Sequence, residues 1–190
     1  MNLVKYFIVL IFCFILQHPV MAFGQSRNKT SEIKKKAKFF FDGKLNQQFS
    51  PLDSWRCLNG EIFNLDDSQN PTVIFLGFSS CPPCSAAIPT YAKVSELKEY
   101  SKYNFLYMTF DDSETIAREF KIRGIAKNKR IKCISISRAY LNAQDLGNTG
   151  YPTIYFLDSK NTVKSIYGFG AKDGPLDSIS NWNSMLDSLK

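Results

Sequence analysis

The 190-residue sequence has a single histidine, His18, and it sits in an N-terminal apolar segment. That segment reads as a removable leader, which leaves the rest of the chain without imidazole. Such a chain cannot run a Ser-His-Asp or Cys-His mechanism. It also cannot build a His-containing zinc or copper site. Methionine is scarce too, four in all, so there is no Met-rich segment to hold Cu(I). The apolar run from Tyr6 to Leu16 is too short to span a bilayer comfortably. No internal repeat or low-complexity segment is visible. The net charge is +7, yet no nucleic-acid motif accompanies it. Part of the excess lies in Lys34-Lys35-Lys36 and Lys38, which reads as a solvated linker rather than a patch for anionic lipid or nucleic acid.

What is present suits one globular domain. Hydrophobic residues make up 44% and charged residues 22%, ordinary values for a packed core. The 16 Phe and 9 Tyr favour sheet. Lys5, the apolar run and the small-residue patterns Val20-Met21-Ala22 and Ala22-Phe23-Gly24 together read as a secretory signal peptide over residues 1–24. Cys13 goes with it. Residues 25–50 read as a basic lead-in, with a short strand and turn at Phe39-Phe40-Phe41 and Asp42-Gly43, and 51–190 as the folded domain. Export would place the remaining Cys57, Cys81, Cys84 and Cys133 where disulfides persist.

Along the domain, two short runs flank Asn59-Gly60 and predict a β-hairpin over Trp55 to Leu65. Thr72 to Phe78 is almost wholly apolar, as a strand buried on both faces is. A helix should follow, with Ile88, Tyr91, Val94 and Leu97 as its apolar stripe and Pro89 kinking it. Phe105 to Phe110 predicts a strand, and Asp111-Asp112-Ser113 a helix start with Ile116, Ala117 and Phe120 facing inward. A basic turn, Arg123 to Lys132, leads to an alternating strand over Ile131 to Ile136. A short helix around Tyr140 to Leu146 comes next, then strands at Thr153 to Leu157 and Val163 to Tyr167. Leu176, Ile179, Trp182, Leu186 and Leu189 mark a closing amphipathic helix. Alternating strands and helices predict a layered α/β domain.

The chemistry concentrates in Ser79-Ser80-Cys81-Pro82-Pro83-Cys84. A Cys-x-x-Cys between a buried strand and a helix start is far more specific than the spacing alone. Unpaired amides and the helix dipole at a helix N-terminus favour a thiolate on Cys81. The thiolate is the nucleophile in disulfide exchange. Cys84, one turn on and farther from solvent, can then attack the mixed disulfide.

This segment resembles the active site of thioredoxin-fold proteins. With the preceding hairpin at Cys57 to Glu61 and the added helix and strand between Asp111 and Ile136, it is similar to the extracytoplasmic TlpA- and ResA-like branch. The resemblance covers about Asp53 to the C-terminus. It implies a thioredoxin-like fold, a central mixed sheet flanked by helices. It also implies a thiol–disulfide oxidoreductase, more a reductant than an oxidase or isomerase, with no metal and no organic cofactor. Tyr151-Pro152-Thr153 is a second point of likeness. Pro152 would be cis and face the cysteine pair, with Tyr151, Pro82 and Pro83 bordering the substrate groove. The implied partners are disulfide-bearing extracytoplasmic proteins, apocytochromes among them, and an upstream membrane thiol donor. No nucleic acid is implied. The mature chain would be soluble and periplasmic or otherwise extracytoplasmic.

The sequence also departs from that pattern. Ser80 stands where the family usually has Trp, and Gly77-Phe78 where aromatics are common, which suggests a more open and polar site. Thr72 to Phe78 carries no buried acid. The branch places an acid after the next strand, where Asp111 and Asp112 stand. Asp112, or its neighbour, is a candidate to move protons for Cys84, and equally a helix cap. Cys57 and Cys133 could be buried thiols, a structural bridge or a second relay. A zinc site built from all four thiolates is disfavoured because these two are scattered singletons. A redox-inactive binding module remains the rival outside enzymes.

Overall fold

The computed structural model describes residues 43–49, 54–65, 67–144, 146, 150–168, 179–187 and 189. The expected signal peptide, most of the expected lead-in with its strand at Phe39 to Phe41, and Leu176 lie outside them. The central element is β3 (Thr72–Leu76), buried along its whole length. It sits mid-sheet in the order β5-β4-β3-β6-β7. It runs parallel to β4 (Asn104–Thr109), which runs parallel to β5 (Ile131–Ser135). On the other side, β6 (Thr153–Leu157) is antiparallel to β3, and β7 (Val163–Tyr167) antiparallel to β6.

Alternation along the strands divides the core between the two sheet faces. Val73, Phe75, Phe105, Tyr107, Ile154 and Phe156 pack on one face, against helix α1 (Pro82–Ser95), helix α2 (Ser113–Ile122) and helix α4 (Ile179–Asp187). Ile74, Leu76, Leu106, Met108, Tyr155 and Leu157 pack on the other. There they meet Trp55 and Phe63 of the hairpin strands β1 (Trp55–Arg56) and β2 (Ile62–Phe63), and Leu141 of helix α3 (Arg138–Ala143). Gly60, at φ +87°, takes the left-handed turn of the hairpin that a residue with a side chain adopts poorly.

Two polar anchors fix α1 to this sheet. The fully buried Tyr91 hydroxyl lies 2.9 Å from the Leu106 carbonyl and 3.2 Å from that of Val73, so one helix side chain satisfies a hydroxyl across two strands. At the far end, Arg130 donates to the carbonyls of Ser95, Tyr100, Ser101 and Tyr103. The segment that reads as a basic turn is therefore a clamp on the C-terminal end of α1, where a cation also suits the helix dipole.

Several expectations need correction. Residues 46–49 belong to the domain, not to a lead-in. Asn46 donates to Val163 O, Val163 to Gln47 O and Phe49 to Asn161 O, and Phe49 is buried. Ala117 is exposed because the inward face of α2 follows the four-residue spacing of Ile116 and Phe120. Ile179 is likewise exposed, and α4 is anchored by Trp182 and Leu186. Helix α3 begins and ends earlier than Tyr140 to Leu146. Strand β5 does not alternate strictly. Ile131 and Ile134 are buried while Lys132 and Cys133 are half-buried, because the hairpin covers part of this edge. Leu97, assigned to the apolar stripe of α1, lies beyond its end.

Candidate active site

Strand β3 delivers the chain to Gly77, and α1 begins five residues later. Cys81 is the N-cap, with extended backbone (φ −100°, ψ 103°), and Pro82 and Pro83 fill the first helical positions. Proline is tolerated there because those amides lack helical partners anyway. The consequence is chemical. Neither proline has an N–H to give, so the first available amide is that of Cys84, and it donates to Cys81 Sγ at 3.2 Å. Cys81 and Cys84 are joined in a disulfide, with Cα atoms 5.2 Å apart. Cys81 is 4% exposed and Cys84 2%, so the expected difference in access is present but slight.

Gly77 lets Cys84 sit against the sheet. A Cβ at Gly77 would stand 3.3 Å from Cys84 Sγ and 2.8 Å from a ring carbon of Phe75. The loop just before the disulfide is held from two sides. Asp111 Oδ2 accepts the Ser79 amide at 2.6 Å and the Thr109 hydroxyl at 3.1 Å. The Ser85 hydroxyl lies 3.1 Å from Glu119 Oε1 and 3.5 Å from Ser79 O, and Glu119 is itself paired with Arg123 at 2.9 Å. Glu119 gave no signal in the sequence beyond being one acid among 17.

Asp112, named as a candidate proton carrier or helix cap, forms the cap. It is the N-cap of α2, exposed, and its Oδ1 accepts the Thr115 amide at 2.7 Å. That bond holds its carboxyl below the usual carboxylate range. Cap geometry turns the side chain back along its own helix. Of the two adjacent acids, Asp111 is the one against the cysteine loop.

The Tyr151–Pro152 peptide is cis, as the resemblance implies. Tyr151 packs edge-on to Phe78 at 5.1 Å and to Phe110 at 6.1 Å, and Phe78 lies 4.8 Å from Phe110. Phe78 O accepts the Cys81 amide at 3.2 Å. Phe78 and Tyr151 pack against the buried cluster that includes Cys81 and Cys84, so this part of the site is more aromatic than Ser80 suggests. The missing Trp is offset by rings from three separate elements. Pro82 and Pro83 are exposed.

The other two cysteines are free. Cys57 bridges Ile134 in antiparallel register, and Leu58 N donates to Cys133 O at 2.9 Å. Leu58, not Cys57, thus stands opposite Cys133. Adjacent positions in such a pairing point to opposite faces. Accordingly Cys57 packs with the Ile74 and Ile134 face and Cys133 against the Phe75 and Tyr107 face. The sheet lies between them, which rules out a structural bridge in this fold. Burial pushes the Cys57 thiol up, against the opposing effect of Lys132. Burial, with the nearby Cys57, pushes Cys133 to about 12. Cys133 lines a groove of about 740 Å³ with Ile116, Phe120 and Lys132, and none of residues 77–86 reaches it. Among the described residues, no group of three or more metal-ligating side chains comes together.

Comparison with known proteins agrees with this geometry. No family model matches the chain. It is 29% identical over 123 residues to the thioredoxin-like protein YneN of Bacillus subtilis, spanning 63% of this chain and 69% of that protein. Solved structures of similar shape include Mycobacterium tuberculosis DsbF (TM-score 0.58, 17% identity, 74% of this chain and 97% of that one). A secreted disulfide oxidoreductase of the same organism, homologous to Escherichia coli DsbE, aligns at TM-score 0.56 (14% identity, 72% and 95% covered). A thiol:disulfide interchange protein of Chlorobium tepidum aligns at 0.57 (18% identity, 72% and 91% covered). This chain has a thioredoxin-like fold carrying a redox-type cysteine pair, the architecture of thiol–disulfide oxidoreductases.

Proposed function

We propose that the chain is an exported thiol–disulfide oxidoreductase that reduces disulfides of extracytoplasmic proteins through Cys81 and Cys84. The observation that carries this reading is the Cys81–Cys84 disulfide at the N-terminus of α1, with the Cys84 amide directed at Cys81 Sγ. In the reduced protein the Cys81 thiolate attacks one sulfur of a substrate disulfide. A mixed disulfide forms and the other substrate sulfur leaves as a thiolate. Cys84, deprotonated, then attacks Cys81 Sγ, closes the Cys81–Cys84 bond and releases the second substrate sulfur. Two electrons pass to the substrate, and its sulfurs end protonated. An upstream membrane thiol donor returns the pair to the dithiol.

The small number of donors near Cys81 Sγ supports the reducing direction. Pro82 and Pro83 contribute neither an amide proton nor a charge, so one amide and the helix dipole do the stabilising. A strong oxidant requires a strongly stabilised reduced form. The leader-like N-terminus supports export, and no helix among the described residues is long and apolar enough to cross a membrane.

Trapping tests the reading. Reduced Cys84→Ser protein mixed with a disulfide-bridged peptide should accumulate a mixed disulfide at Cys81, identified by peptide mass spectrometry. The native protein should resolve the same adduct. If no adduct forms at Cys81, the enzyme reading fails and a redox-inactive binding module takes its place.

A further inference from the structure

We infer that the aromatic wall beside Cys81, with Arg138 laid on it, selects extended polypeptide segments that carry an acidic side chain close to their reactive cysteine. This rests on the exchange reading and names the substrate class for the same site. The Arg138 guanidinium lies over the Phe110 ring, 4.3 Å from its centroid, and the residue is exposed. Phe110 contacts Phe78 and Tyr151, which pack against the buried cluster that includes Cys81 and Cys84, and Phe78 O accepts the Cys81 amide. Burial raises the pKa of the Tyr151 hydroxyl while the charge of Arg138 works against that rise, so the guanidinium acts within electrostatic range of the cis-proline loop.

The local acids are engaged elsewhere. Asp111 holds Ser79 N and Thr109 Oγ1, and Asp112 caps α2. No carboxylate of the described residues forms an ion pair with Arg138; Glu119 pairs with Arg123 and Glu61 with Lys132 instead. Arg138 is thus a planar cation held flat on an aromatic face, with its fork of donors free to meet a carboxylate. A peptide docked along Tyr151 would pass this cation, and a Glu or Asp near its cysteine would pair with it.

The experiment uses two disulfide-linked peptides identical except for Glu or Gln flanking the cysteine. Exchange with the reduced native protein and with Arg138→Gln is followed at low and high salt. The native protein should favour the Glu peptide by about two- to fivefold, the size of an exposed ion pair. The preference should shrink in high salt and fall to a ratio near one in Arg138→Gln. Equal rates with native protein, or an unchanged preference in Arg138→Gln, would overturn the inference while leaving the oxidoreductase reading intact. Exchange with neither peptide would remove both.

Discussion

The chain holds two pairs of neighbouring cysteines and treats them in opposite ways. Cys81 and Cys84 lie three residues apart across a helix start, share a disulfide and belong to a buried cluster against which Phe78 and Tyr151 pack. Cys57 and Cys133 come together on the edge of the sheet from 76 residues apart, but they point to opposite faces and stay as thiols. Burial alone does not separate the pairs, since Cys57, Cys81 and Cys84 are all buried. What separates them is the direction of the backbone. At the helix start, a free amide and the dipole point at sulfur. At the sheet edge, pleating turns the two side chains apart and surrounds each with apolar atoms, which pushes both thiols away from ionisation. Reactivity here follows from secondary-structure position more than from the cysteine itself.

The sharpest way to break this contrast is Cys81→Ser, which should abolish disulfide exchange while leaving the far-UV circular dichroism unchanged. Retained exchange would place the nucleophile elsewhere. Gly77→Ala comes next. Its Cβ would press on Phe75 and Cys84, costing about 1–3 kcal/mol in a denaturant titration, as overpacking does, and shifting the potential of the pair. On the other side, Cys57→Ala and Cys133→Ala should each lower stability by about 1–2 kcal/mol, as loss of core packing does. Exchange should continue at an unchanged rate. With its pKa near 12, native Cys133 should also resist alkylation at pH 8, where only about one thiol in ten thousand is ionised. The smallest effect belongs to Asp112→Ala. The folded-state pKa of Asp112 is lowered by its cap bond. Its contribution is therefore full above the ordinary carboxylate pKa and is lost as pH falls through the lowered one. Melting curves of native and variant protein should differ slightly at pH 7 and converge in acid.

Much of this was legible in the sequence, for reasons that can be named. The Cys81-Pro82-Pro83-Cys84 site could be read because its geometry is local: a buried apolar strand, a cap and two prolines fix it within a dozen residues. The same holds for Gly60 in the hairpin and Thr153 to Leu157 in the sheet. What could not be read depends on distant segments meeting. Asp111 and Asp112 are adjacent and identical in type. Only the end of β4 decides that the first reaches Ser79, 32 residues away, while the second caps its own helix. Glu119 meets Ser85 across 34 residues. The aromatic cluster draws on Phe78 after β3, Phe110 after β4 and Tyr151 of the cis-proline loop, so the absent Trp was a misleading sign of polarity. Residues 46–49 looked like a linker because their partners, Asn161 and Val163, lie more than 110 positions later.

The most direct test of the central claim is one redox titration of the protein lacking residues 1–24, quenched at each potential, then denatured so that all four cysteines can be alkylated, and read by peptide mass spectrometry. Cys81 and Cys84 should exchange together, toward the reducing end of roughly −120 to −270 mV, the span of known CxxC catalysts. Cys57 and Cys133 should stay reduced throughout. A Cys57–Cys133 disulfide at any potential, or a Cys81–Cys84 pair that never closes, would contradict the account.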